Sequence, residues 1–421
     1  MGQAKVLALF LLLCAALAGA DRYELKVRLD PPAQRLEVEG VMTVRPRDGG
    51  ALELVWFLNR QVEVLELKGP QVAGWEFNRG ATAAQPPFQE AGLLKVRLRA
   101  PLAPGAALRF RLRYAGTLIR WPLGNPDRLG APWTELGRSA FWYPCRWDGN
   151  PFTFRLEVRC PRDFALAGYG PFQGPEGRQT LEWSRPVEDL VLLAAPRNRL
   201  RITAAGGARV VSLDLAEPTA QRLAKATGEL MDLMQERLGR LEGETLTVVQ
   251  APRPGGGTYA RAGLLVLDGL DEPRLTAQYQ EVLQRVAHEA AHAWWHFAPE
   301  DTWEDWLNES FAEYSALAAL RELQGEAGYQ RAIAAKRRAC AGLPRLWEFP
   351  RNSNQAWSLM GNKGVVLLAE LEELMGRDPF SAFCRELAAR RVNQTARLME
   401  LLEARAGKGI REAFQRRIMS L

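Results

Sequence analysis

All three histidines of this 421-residue chain fall within nine positions, at His288, His292 and His296. The first two, with Glu289, spell HExxH. Residues four apart on an α-helix lie one turn above each other on the same face, so two imidazoles placed this way can grip one metal ion. Zinc suits that pair, and Glu289 is the general base that such a site uses on water activated by the ion. A catalytic zinc takes three protein ligands and keeps one position open. His296 does not supply the third, because on one helix it stands about 12 Å along the axis from His288. A carboxylate from a second helix serves better. Trp306-Leu-Asn-Glu-Ser-Phe-Ala-Glu-Tyr314 offers Glu309 as that ligand, with Asn308 as its expected N-cap. Glu313, one turn later, is expected behind the ligands, where it would orient one of them.

These side chains need a helix pair to hold them. Gln280 to Phe297 reads as one helix, with Val282, Leu283, Val286, Ala290, Ala293 and Trp294 as its apolar surface. A plain core helix would explain those apolar residues. It would not explain two histidines and a glutamate on the same helix, since buried polar groups need partners. Upstream, Tyr23–Leu29, Leu36–Val44, Leu94–Leu98 and Leu108–Tyr114 alternate apolar and polar residues, which predicts half-buried antiparallel strands. The character changes near residue 203. Pro218–Leu241 has a helical period, Glu244–Gln250 and Gly263–Asp268 read as strands, and nearly all that follows reads as helix. The Gly255-Gly-Gly257 turn between those strands is not a phosphate loop, because no Lys-Ser/Thr follows at the required spacing.

With 47% hydrophobic and 25% charged residues the chain is packed and globular rather than disordered. A net charge of +6 with no long basic run gives no reason to expect a nucleic-acid partner. Lys5, the apolar run Val6–Ala18 and the small residues Ala18-Gly-Ala20 form a secretory leader, residues 1–20, so the protein is expected to be exported to a periplasm or the medium. That run is too short for a bilayer, which needs about 20 residues, and no later segment reads as a membrane span. Cys14 is disfavoured as a lipid anchor because Leu13 stands where a small residue is wanted. Cleavage leaves Cys145, Cys160, Cys340 and Cys384. Cys145 and Cys160 flank an expected strand and could pair, with buried thiols as the alternative.

HExxH followed by Trp-Leu-Asn-Glu309-x-Phe-Ala resembles the gluzincins, specifically the membrane alanyl aminopeptidase family that includes leukotriene A4 hydrolase. Ala140-Phe-Trp-Tyr-Pro-Cys-Arg-Trp-Asp148, Gly257–Gly263 and Lys363-Gly364 resemble further motifs of that family, in its order along the chain. The resemblance implies a multidomain α+β protein: an antiparallel β-saddle domain over residues 21–203, then a mainly helical thermolysin-like zinc metallopeptidase domain over 204–421. It implies one zinc ion per chain on His288, His292 and Glu309, Glu289 as general base, and a peptide as substrate.

The sequence departs from the family in three places. Sixteen residues separate His292 from Glu309, a shorter gap than usual. The glutamate that binds a substrate's α-amine in the family is replaced by Ala260, and Arg261 beside it would repel an ammonium. Glu135, in Trp133-Thr-Glu135, is the alternative amine anchor. The family's oxyanion-stabilising tyrosine maps to Gly361, and loss of such a donor typically costs about 10²–10³ in rate. Two readings follow: a working zinc peptidase without strict aminopeptidase specificity, or a zinc-containing member that binds a peptide or partner without cleaving it.

Overall fold

The computed structural model describes residues 20–420 apart from 47–49, 81–89, 122–125, 147–150, 242–244, 254–256 and 262. Residues 1–19 of the expected leader lie outside the described residues, as do Gly255 and Gly256 of the glycine turn. The chain divides into two compact units, one of residues 1–201 with 252–257, the other of 202–251 with 258–421.

The first unit is built of strands. Asp21–Asp30 and Arg35–Val44 bury alternate side chains, as their period-two pattern requires. They sit in a six-stranded sheet whose order is Arg178–Val187, Phe152–Arg159, Asp21–Asp30, Arg35–Val44, Leu108–Thr117, Val62–Lys68. One pairing differs from the antiparallel expectation: Asp21–Asp30 runs parallel to Phe152–Arg159. The chain between them is long enough to make the crossover that a parallel pair needs. Two three-stranded sheets complete the unit. Cys145 and Cys160 are free thiols here, as are Cys340 and Cys384 in the second unit. Cys145 is instead buried with its Sγ 3.2 Å from the Tyr143 carbonyl.

The second unit opens with a five-stranded sheet. Ala208–Ser212, Thr247–Ala251 and Leu264–Asp268 run parallel at its centre. Thr247–Ala251 is buried throughout, the pattern of a strand covered on both faces. Tyr259–Arg261 is antiparallel on the edge. Helices follow: α1 (Glu217–Leu238), α2 (Glu272–Ala277), α3 (Tyr279–Ala291), α4 (Trp306–Gln324), α5 (Glu326–Ala339), α6 (Ala356–Ser358), α7 (Val365–Met375), α8 (Arg377–Ala389) and α9 (Thr395–Met419). A six-residue π-turn, Leu359–Gly364, joins α6 to α7. One apolar core collects Leu223 and Leu230 of α1, Val286 of α3, Phe311 of α4, Leu368 of α7 and Phe383 of α8. Within it Arg321 of α4 makes a two-pronged ion pair with Glu372 of α7, at 3.0 and 2.7 Å. Among the described residues no helix is long and apolar enough to cross a membrane.

Candidate metal centre

The helix that carries the motif is shorter than its period suggests. α3 ends at Ala291, and His292 caps it with φ −61° and ψ −13°. Tertiary burial explains the stop. Trp294 and Trp295 are both buried, with indole N–H groups donating to the Gly239 carbonyl (2.9 Å) and to Ser315 Oγ (3.0 Å). To reach those partners the chain tightens, with Ala293 and Trp294 bonding back to Ala290 and Ala291. The expected helical turn through Phe297 is therefore absent. His296 is exposed, its Nδ1 2.7 Å from the His292 carbonyl, and it stays out of the metal cluster.

The second helix starts earlier than expected. α4 begins at Trp306, after a 3₁₀ turn over Trp303–Asp305, so Asn308 is inside it rather than capping it. Asn308 ties down the returning loop instead. It is buried, accepts from the Ala298 N–H (3.1 Å), and donates to the Ala298 carbonyl (3.0 Å) and to Asp305 (2.8 Å). This clamp brings the end of α3 to the start of α4 and sets Glu309 opposite the histidines.

One ligand atom from each of His288, His292 and Glu309 lies within 4.8 Å of the others. His288 Nε2 is 3.4 Å from one Glu309 oxygen and His292 Nε2 is 3.8 Å from the other. Ligands about 2.0–2.1 Å from a tetrahedral zinc stand about 3.4 Å apart, so the set fits that ion with small adjustments. The imidazole rings cross at 87° with centroids 4.9 Å apart. Each ring is oriented from behind. His288 Nδ1 meets Glu313 at 3.0 Å, and His292 Nδ1 meets the Trp295 carbonyl at 2.8 Å. With Nδ1 of each ring held by those acceptors, both Nε2 atoms are turned toward the Glu309 carboxylate, the atoms through which these imidazoles would bind a metal. The three side chains are 17–20% exposed, enough to admit a ligand from solvent.

Electrostatics reinforce the arrangement. Burial favours neutral His288, but hydrogen bonds to Glu309 and Glu313 outweigh it and raise the group to about 10. Burial pushes Glu313 up, yet the His288 hydrogen bond and the Lys336 charge hold it at about 2. Glu309 is lowered, with burial again overcome by His288 and His292. Glu289 is half-buried and has no hydrogen bond or ion pair among the described residues.

Glu313 also receives Gln284 Nε2 and Lys336 Nζ, each at 2.7 Å. Gln284 stands four residues before His288, a spacing the sequence displays. Lys336 comes from α5 and had no local signal. Arg351, another residue the motif did not suggest, grips buried Asp305 at 2.7 Å at the start of α4. Gly361 lies in the π-turn with ordinary helical backbone, and a Cβ built there would meet nothing within 4 Å. Gly364 is the opposite case: a Cβ there would come within 2.0 Å of Ser310 Oγ, so glycine is what lets the turn close on α4 beside Glu309. Lys363 donates to the Pro344 and Ser420 carbonyls and so fixes the same segment from its other side.

The remaining sequence candidates do not join the cluster. Arg261 lies on the edge strand, with its guanidinium over the Tyr259 ring at 4.7 Å and bonded to the Ala260 carbonyl. Glu135 belongs to the first unit. It is fully buried there, accepts from Trp133 Nε1 (3.0 Å) and is ion-paired with Arg253 (3.1 Å).

Residues 256–416 match the family model for the peptidase family M1 domain. Over this stretch the chain is similar to M1 peptidase domains. The M1 zinc metallopeptidase of Deinococcus radiodurans has the same fold, with TM-score 0.68, 23% identity, and 94% of this chain and 92% of that one covered. A mutant of that enzyme crystallised with a Tyr-Ser-Ala substrate superposes with TM-score 0.67 at 22% identity, over 94% and 93% of the two chains. Leukotriene A4 hydrolase of Saccharomyces cerevisiae matches with TM-score 0.67 at 14% identity, over 93% of this chain and 66% of its own. No curated protein sequence matches the chain. At these identities the neighbours show the fold: a sheet-rich N-terminal region followed by a helical one. The neighbours from Deinococcus radiodurans are zinc metallopeptidases.

Proposed function

We propose that this chain is an exported zinc-dependent peptidase in which His288, His292 and Glu309 hold the metal and Glu289 is the general base. The observation that carries the reading is the orientation of the imidazoles. Glu313 and the Trp295 carbonyl take the two Nδ1 positions, which leaves two nitrogens and one carboxylate converging on a partly exposed point. Zinc, when bound, supplies Lewis acidity that polarises a carbonyl and makes water acidic near neutral pH.

The chain's own residues do the rest. Glu289 follows His288 directly, is half-buried, and among the described residues has no hydrogen bond or ion pair to compete for its carboxylate. It takes the proton of the attacking water and returns it to the leaving nitrogen, which cannot depart as an amide anion. Glu313 and Trp295 hold the imidazoles still during that exchange. The substrate class is peptides. The Deinococcus neighbour's Tyr-Ser-Ala complex supports short chains as one form of it. A free N-terminus is not required on this reading. Ala260 has no carboxylate to offer an ammonium, and the Glu135 charge is already balanced by Arg253. The leader-like order of Lys5, the apolar run Val6–Ala18 and the small residues Ala18-Gly-Ala20 supports export.

A binding-only reading draws on Gly361, where no side chain can donate to an oxyanion. One experiment separates the two: digestion of a mixed peptide library by the mature protein of known zinc content, read by mass spectrometry, beside Glu289→Gln. The expected result is cleavage by the wild type and a loss of about 10²–10⁴ in the variant, with zinc retained. Equal cleavage by both would remove Glu289 from the chemistry. No cleavage by zinc-loaded wild type would leave the binding reading.

A further inference from the structure

Lys336 does something that the ligand set does not require. Its ammonium lies 2.7 Å from Glu313 Oε1 and donates to the Gly361 carbonyl at 2.7 Å. Its side chain is only 14% exposed. An ammonium is a strongly hydrated point charge on a flexible stem, and sinking it is unfavourable unless acceptors replace the water. Both acceptors lie on segments that support a metal ligand. Glu313 gives its other oxygen to His288 Nδ1 at 3.0 Å. Gly361 belongs to the π-turn, which docks on α4 next to Glu309 through the Ser310 hydroxyl and the Met360 carbonyl, 2.8 Å apart.

We propose that Lys336 is a positioning residue of the metal centre, fixing the Glu313 carboxylate behind His288 while holding the Gly361 turn against the Glu309 helix. Glu313 has two hydrogen-bond donors besides His288, and both approach the same oxygen, Oε1. Gln284 stands on α3 with His288, so a shift of that helix carries donor and histidine together. Lys336 is the donor that references the carboxylate to a separate helix. It therefore sets where His288 points relative to Glu309, and not just whether its ring is hydrogen-bonded. Outer contacts of this kind typically govern about 10–100-fold in metal affinity.

The inference rests on the zinc reading given above, and its test does not depend on turnover. Zinc affinity is measured by competition with a chromophoric chelator for wild type, Lys336→Met, Glu313→Gln and the double variant. The expected result is an affinity about tenfold or more weaker in Lys336→Met. In the Glu313→Gln background the same change should add less than about threefold, because two residues acting through one contact are not additive. Should Lys336→Met fail to fold, Lys336→Gln, which keeps a donor without the charge, enters the same cycle and is judged by the same outcomes. Affinity within about threefold of wild type, or fully additive losses, would overturn the proposal, since a lysine serving only helix packing would act independently of Glu313. Wild type that takes up no zinc would instead end the zinc reading itself, so the two failures are distinguishable.

Discussion

Two carboxylate clusters in this molecule start from similar ingredients and end differently. In the first unit, Glu135 faces Arg253 and the Trp133 indole with no exposure at all. In the second, Glu309 and Glu313 face histidines and are 18% and 13% exposed. The distinction lies in what the partner can give up. A guanidinium keeps its charge at any pH a protein meets, so the Glu135–Arg253 pair stays charged on both sides and cannot be exchanged by loss of a proton from the partner. An imidazole can release its proton and present a lone pair, so the Glu–His contacts can be exchanged for contacts to a metal. A buried carboxylate is therefore a structural tie or a site according to whether its partner can leave.

Removing one partner at each place tests that contrast. The largest effect is expected in the first unit. Arg253→Met strands the Glu135 charge and should lower stability by about 3–5 kcal/mol, read by chemical denaturation. A loss under about 1 kcal/mol would mean that Glu135 finds other compensation and would weaken the contrast. At the metal centre, His292→Ala should reduce zinc affinity by more than about 10²-fold, beyond the range of outer contacts, as measured by chelator competition.

The pH dependence sharpens the comparison further. His288 is raised to about 10, so without zinc it carries its proton through neutral pH. Zinc must displace that proton, and binding should tighten by about tenfold per unit as pH rises from 6 to 8. A flat profile would show that His288 is already neutral. The smallest effect is expected at Glu289, which makes no hydrogen bond or ion pair among the described residues: Glu289→Gln should change stability by no more than about 0.5 kcal/mol in a thermal melt.

Much of this site is written locally. His288 and His292 share a helical face by spacing alone, and Glu309 is marked by the apolar run around it. The structure brings all three to one point. The end of α3 was not legible, because it depends on where two tryptophans find acceptors at Gly239 and Ser315, far away in sequence. Lys336 was invisible for the same reason, and so was the Arg253 partner of Glu135, 118 residues away. In the first unit, alternation announced the strands because it reports burial. It is silent on direction, so the parallel pairing of Asp21–Asp30 with Phe152–Arg159 could not be read from it. The mixed pairing of the second sheet was likewise beyond its reach.

His292 caps the end of α3, where helical hydrogen bonds are fewest and the backbone opens first. If His292 binds zinc as proposed, the ion would pin this helix end as well as serve the chemistry. The segment from His292 to Pro299 should then be the place where a protease first cuts the chelated protein, and zinc should protect it. On the zinc reading proposed above, the lifetime of the folded protein in the presence of proteases would then follow the supply of that ion.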